Sequence, residues 1–130
     1  MKKCFLIAFI QIFIAIFSIV AQNTYTDPNQ STDVQFRLFR TTNVWTFLKL
    51  DTSDGRIWQV QFDVKGDERF TVVLNAAPLV GNNDKLNGRF TLFPTNNMFN
   101  FLLLDQINGD VWQVQWSQDK KNRGIIPIEN

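Results

Sequence analysis

Hydrophobic and polar positions alternate at period two along most of the chain beyond residue 34. The clearest runs are Trp58-Gln-Val-Gln-Phe62 and Trp112-Gln-Val-Gln-Trp116. Period two is the signature of a β-strand with one buried face. Val44–Asp51 and Met98–Asp105 read as the strands before them, and the short apolar runs Phe36–Phe39 and Phe90–Phe93 as the strands before those. Arg69–Leu74 and Gly124–Ile128 complete two sets of four. Pro127 lacks an N–H, which suits an edge strand and would damage a central one. Thr-Ser-Asp-Gly at 52–55, Gln-Ile-Asn-Gly at 106–109 and Lys-Gly-Asp-Glu at 65–68 supply the turns. Asp-Gly and Asn-Gly between strand patterns mark hairpins, because glycine accepts a positive φ without a Cβ clash. No window beyond the N-terminal run predicts a helix.

The two sets are one sequence repeated. Shifted by 54 residues, Phe36–Phe62 falls on Phe90–Trp116 with 14 of 27 positions identical. Internal self-similarity of this kind marks a repeated structural unit. The repeats span 34–75 and 88–129, and the Asn- and Gly-containing stretch 76–87, with Pro78, links them. The expected fold is all-β: two tandem four-stranded antiparallel meanders with pseudo-two-fold symmetry, packed as a sandwich or closed as a small barrel. Two propeller-like blades are the alternative, and would need several copies to close a ring.

In each repeat the Leu48/Leu50 and Leu102/Leu104 positions are candidates for the core. Trp58 and Trp112 are likewise expected to point inward. Trp45, Phe47, Phe99 and Phe101 then lie on the opposite face of their strands. Gln59, Gln61, Gln113 and Gln115 alternate with the Trp and Val positions, and the same amide stands at both places in both repeats. These eight residues are the candidate ligand-binding set, an aromatic patch lined by amides of the kind that contacts a glycan or a protein. Burial of both faces, one by the other sheet and one by the linker, is the structural alternative.

The N-terminus carries a different pattern. Lys2 and Lys3 precede a run from Cys4 to Ala21 interrupted only by Gln11 and Ser18, and the chain then turns polar. The run is longer than the usual signal core of about 7–15 residues and shorter than the roughly 20 of a membrane span. The small residue at Ala21 and the abrupt polarity after it favour a signal peptide over 1–21, with an uncleaved anchor as the alternative. A flexible segment, 22–33, leads into one β domain, 34–130. Export makes the protein periplasmic or secreted, with no membrane attachment after cleavage. Cys4 lies too early for a lipoprotein site, and its loss leaves a mature chain without cysteine. Asn29-Gln-Ser31 matches a glycosylation acceptor, but its place in the leading segment gives it little weight.

Composition narrows the chemistry. The chain has 130 residues, no His, one Cys, and 13 basic against 12 acidic side chains. Without His, a Ser-His-Asp or Cys-His nucleophile system has no base. A single Cys and no His supply no ordinary zinc site. Near-neutral charge argues against a nucleic-acid footprint, and Lys120, Lys121 and Arg123 make too small a basic patch to change that. Asp51 and Asp105 are the only acids at equivalent positions. Paired carboxylates serve glycoside hydrolysis, but such a pair needs two different environments, whereas duplicated turns need the same residue twice. Each stands four residues before the turn glycine, Gly55 or Gly109. There an aspartate accepts backbone N–H groups and orders the hairpin. The spacing of Asp51, Asp54 and Asp105 fits no calcium loop. Asn43 and Asn97, two residues after a repeated Thr, read as turn formers. No cofactor and no metal are implied.

Leu50-Asp-Thr-Ser-Asp-Gly-Arg-Ile-Trp-Gln-Val-Gln61 and Leu104-Asp-Gln-Ile-Asn-Gly-Asp-Val-Trp-Gln-Val-Gln115 resemble a Leu-Asp-x-x-x-Gly-x-x-Trp hairpin motif of small uncharacterised exported bacterial proteins, often present twice per chain. The resemblance covers about 95 residues. It implies export and the hairpin, and no catalytic residue.

The expectation is therefore an exported, non-catalytic binding or scaffolding module whose partner is an envelope protein or a glycan, with a homo-oligomer possible. A periplasmic inhibitor acting through a protruding turn at 64–68 or 118–123 is the alternative, and a hydrolase using Asp51 and Asp105 comes third. Mass spectrometry of the exported protein should find an N-terminus at Gln22; intact Met1 in the membrane fraction is the result that supports the anchor instead.

Overall fold

The structure is a computed structural model, and it describes residues 32–129. The signal-peptide segment, Asn29 and most of the leading segment 22–33 lie outside the described residues. Eight strands follow in chain order: β1 Phe36–Arg40, β2 Thr46–Asp51, β3 Ile57–Gln61, β4 Phe70–Asn75, β5 Phe90–Pro94, β6 Asn100–Asp105, β7 Val111–Gln115 and β8 Gly124–Ile128. They form two antiparallel four-stranded meanders, β1-β2-β3-β4 and β5-β6-β7-β8. Among the described residues the only helical pieces are two three-residue 3₁₀ turns, Asn82–Asp84 and Lys120–Asn122. The all-β fold of tandem meanders is as the alternation predicts, and the two sheets pack face to face without closing a barrel.

Pairing repeats with the sequence. Phe36 stands opposite Asp51 as Phe90 stands opposite Asp105. Leu48 stands opposite Gln59 as Leu102 stands opposite Gln113, and Lys49 opposite Trp58 as Leu103 opposite Trp112. One difference is a register shift between Ile57 and Trp58, which pairs Ile57 with Asn75 where β7 and β8 run without a break.

Cross-strand partners point to the same side of a sheet. Each meander therefore has an amide face and an aromatic face. In the first sheet the amide face carries Phe39, Leu48, Leu50, Ile57 and Gln59, and the aromatic face Phe36, Leu38, Phe47, Lys49, Trp58 and Val60. In the second the amide face carries Phe93, Leu102, Leu104, Val111 and Gln113, and the aromatic face Phe90, Leu92, Phe101, Leu103, Trp112 and Val114.

The core joins unlike faces. It contains Leu48, Leu50 and Ile57 from the amide face of the first sheet, and Phe90, Leu92, Phe101, Leu103 and Val114 from the aromatic face of the second. Leu74 and Trp116 complete it, with Phe39, Leu79, Val80, Trp112 and Ile125 packed around it. The likeness of the two meanders thus holds within each unit and stops at the contact between them, since a two-fold contact buries the same face of both.

This corrects two expectations on one side each. Leu48 and Leu50 are core residues, but Leu102 and Leu104 lie on the outer face and are half-buried. Trp112 points inward, whereas Trp58 points outward beside Phe36. The register supplies the reason: Leu48 pairs with Gln59 and not with Trp58, so one sheet cannot bury both its Leu row and its Trp row against the same neighbour.

Truncation at the core aromatic should be far costlier than on the outer face. Trp116→Ala removes a buried ring and is expected to lose about 3–5 kcal/mol; Trp58→Ala is expected to lose clearly less. Urea melts of both variants check this order, and equal losses would return Trp58 to the core.

Candidate functional site

Two places carry the candidate chemistry: the aspartate turns and the aromatic face of the first sheet.

The turns are built alike. Asp51 and Asp105 end β2 and β6, and the loops 52–55 and 106–109 reverse the chain. The Gly55 N–H donates to the Asp51 carbonyl at 2.9 Å, and the Gly109 N–H to the Asp105 carbonyl at 2.8 Å. Both glycines are left-handed, with φ of 82° and 81°, a region costly for any residue with a Cβ. The Ser53 N–H donates to Asp51 Oδ1 at 3.0 Å. The Ile107 and Asn108 N–H groups donate to Asp105 Oδ1 at 2.9 and 3.2 Å. The preceding turns repeat as well: Asn43 Oδ1 accepts from the Trp45 N–H, and Asn97 Oδ1 from the Phe99 N–H.

The remaining valences of the two aspartates are filled by cations and amides. Asp51 Oδ2 accepts from Gln35 Nε2 and Arg56 Nη2, each at 3.0 Å. Asp105 is held by both arms of the Arg89 guanidinium, at 3.0 Å from Nε and 2.8 Å from Nη2. Arg56 also binds Asp54, which Lys85 reaches at 3.0 Å. Gln35 and Arg89 are repeat equivalents, each 16 residues before its aspartate. That shared offset was a signal in the sequence that the turn pattern alone did not exploit. Arg56 has no equivalent, since Asp110 stands at that place. Burial raises the pKa of Asp105, but the Arg89 bonds and the N–H groups of Ile107 and Asn108 outweigh it and hold the carboxyl below its ordinary 3.8. Asp54 follows the same logic: burial opposes, Arg56 and Lys85 prevail, and the pKa is lowered.

The two turns differ in their cover. Thr52, Ser53 and Asp54 are buried, whereas Gln106, Ile107 and Asn108 are exposed. The linker lies over the first turn: the Leu79 N–H donates to the Asp54 carbonyl at 2.8 Å, the Gly88 N–H to Thr52 Oγ1 at 2.9 Å, and the Phe90 N–H to the Thr52 carbonyl at 2.8 Å. Asp51 and Asp105 are thus each locked into a separate turn by bonds that leave no free carboxylate oxygen. No three His, Cys, Asp or Glu side chains gather into a metal-binding group among the described residues.

The eight proposed ligand-binding residues do not form one surface. Phe47 is on the outer side of the first sheet, but its repeat equivalent Phe101 is buried in the core. Gln59 is buried between the sheets, where its Oε1 accepts the Ser117 N–H at 3.3 Å and its Nε2 has no protein partner among the described residues. Gln61 accepts from Thr46 Oγ1 at 2.9 Å and from Gln118 Nε2 at 3.1 Å. Gln113 is exposed and donates to Asn100 Oδ1 at 2.8 Å, and Gln115 is half-buried on the same outer side. Trp45 and Phe99 sit half-exposed at the sheet ends, against Phe62 and Trp116. The four candidate aromatics and the four amides lie on opposite faces of their sheets, so these eight residues do not build an aromatic patch lined by amides.

What they build is an aromatic strip on the outer face of the first sheet. Phe36 meets Trp58 edge-on at 6.3 Å, and Trp45 and Phe47 both meet Phe62, at 5.3 and 6.1 Å. Cations lie across it: Lys49 Nζ is 4.7 Å from the Trp58 ring centre, and the Arg56 guanidinium 5.6 Å. Leu38 and Val73 extend the strip and are exposed. No family model matches the chain, and no curated protein or solved structure matches it.

Removing the Asp105 charge should strand the nearly buried Arg89 guanidinium. Asp105→Asn is expected to cost about 3–5 kcal/mol, and Asp51→Asn, whose Arg56 is partly solvated, about 1.5–3 kcal/mol. Asp105→Ala should lose more than Asp105→Asn, because the amide oxygen still accepts from Ile107 and Asn108. The depressed pKa of Asp105 adds stability that is present above its ordinary 3.8 and is lost as pH falls through the lower folded value. Denaturant melts at about pH 7 and about pH 3 should show wild type losing stability in acid and Asp105→Asn losing less of it. An unchanged acid slope in Asp105→Asn contradicts the assignment.

Proposed function

We propose that this chain is an exported, non-catalytic binding or scaffolding module that recognises a protein partner through the outer aromatic face of its first sheet. The observation that carries this reading is the strip itself. Phe36, Leu38, Trp45, Phe47, Trp58 and Phe62 share the side of the first sheet that is turned away from the core, and Phe36, Leu38, Trp45 and Phe62 are exposed on it. Exposed apolar patches of this kind mark interaction sites, and aromatics beside Lys and Arg are typical of the centres of protein contacts. A glycan stacks on an open aromatic ring. Here the Trp58 ring already carries Lys49 and Arg56, which favours a protein surface over a sugar. Export rests on the basic and apolar pattern from Lys2 to Ala21.

The inhibitor reading draws on an ordered loop. Residues 118–123 are tied down by Asp119 accepting the Lys121 N–H, and by Arg123 donating to the Ser117 and Gln118 carbonyls. A loop inhibitor needs no apolar sheet face, and this chain has one, so the face is the better candidate. The locked aspartates weigh against the hydrolase.

A photo-reactive residue at position 38 is expected to form a covalent adduct in the native envelope fraction, while the same residue at position 65 or 121 is not. Adducts concentrated at 65 or 121 would replace this reading with the loop inhibitor.

A further inference from the structure

The outer face of each sheet is the repeat equivalent of a face that the other sheet buries. Phe36 is 49% exposed and its equivalent Phe90 is 1% exposed; Leu38 is 47% exposed and Leu92 is 4%. The correspondence continues through Phe47 with Phe101, Trp58 with Trp112, and Val60 with Val114. On the other side of the molecule, Leu102, Leu104, Val111 and Gln113 lie outward where Leu48, Leu50, Ile57 and Gln59 are buried. One copy therefore presents, on its two outer sides, the two halves of its own internal interface.

We infer that the partner of the aromatic face is a second copy of this chain. The outer amide face of the second sheet docks on the outer aromatic face of the first sheet of the next copy, and repeats the contact between the sheets within one chain. This deepens the reading above, and rests on it, by naming the partner. Two observations beyond apolarity support the fit. Six of the ten core residues recur unchanged at the equivalent outer positions, and Val111 for Ile57, Ile128 for Leu74 and Phe62 for Trp116 keep three more apolar, so most of the shape carries over from a contact already formed. The amides carry over too: Gln59 Oε1 accepts the backbone N–H of Ser117, and Gln113 stands ready for the equivalent N–H of Asp63 in the next copy. The contact is heterologous, since it joins unlike faces, and such contacts close into rings or continue as filaments.

Lys49 is the charged departure from the pattern, standing where the second sheet has Leu103. Its stem lies along the strip with the ammonium over Trp58, and in the assembly the charge is carried to the rim. Lys49→Leu is accordingly expected to tighten association.

Two charge insertions test the inference on the full chain. Leu38→Asp spoils the aromatic face and Ile126→Asp the amide face; both residues are exposed, so folding is preserved, as circular dichroism and melting verify. Wild type is expected to assemble on sedimentation. Each variant alone should be monomeric, its association weakened more than about 100-fold. An equimolar mixture should restore one sound contact and form a one-to-one dimer. Val73→Asp and Ile128→Asp, exposed on the same two faces, form a second pair should either first variant fail to fold. A monomeric wild type overturns the inference, as does a mixture that stays monomeric. An Ile126→Asp that still dimerises means that like faces meet and overturns it as well. A monomeric wild type with a position-38 adduct to a foreign protein overturns only this inference and leaves the binding module standing.

Discussion

Leu48 faces Gln59 across the first sheet, and Leu103 faces Trp112 across the second. Everything else about this molecule depends on those pairings. A one-residue slip in an antiparallel ladder sends every side chain to the other side, so the register defines two faces per sheet and leaves no mixed arrangement. The Asp turns hold that register. Asp51 and Asp105 accept the N–H groups of the second residues of their loops, Ser53 and Ile107, and the left-handed glycines that follow close the reversals.

With both sheets apolar on both sides, the chain must bury one face of each. Of the two aromatic faces, the one in the second sheet is apolar across its centre. The one in the first sheet has Lys49 at the position of Leu103, and Arg40 at that of Pro94. Burying Lys49 in the chain's own core would oblige its flexible stem to stretch until the ammonium reached water at the rim, at a cost in rotamer freedom. Burying Leu103 carries no such cost. This selects the second sheet's aromatic face for the core. The linker then fixes the arrangement: Leu79 and Val80 pack on the core, and Lys85 pairs with Asp54. The first hairpin is thereby enclosed while its twin is left in solvent.

The consequence is a molecule with one core and two unlike outer faces, each carrying exposed apolar side chains. Large contiguous apolar patches are seldom kept exposed without a use for them. The aspartates, which paired carboxylate chemistry would need free and facing each other, are each consumed by their own turn and cation.

The strands, their order of pairing and the turns were legible in the residues, because period-two alternation, Asp-x-x-x-Gly spacing and the 54-residue repeat are all local signals. The role of the aspartates in their turns was legible for the same reason. The choice of faces was not. Trp58 and Trp112 sit in nearly identical local sequence, and only the second is turned to the core. Local pattern states that a strand has two sides and cannot state which one meets the neighbouring sheet. That decision turned on Lys49 and Arg40 against Leu103 and Pro94, and on a linker that reaches only one way across the first hairpin. Identical repeats thus acquired different surroundings, and burial of Gln59 and Phe101 with exposure of Gln113 and Phe36 followed from tertiary packing alone.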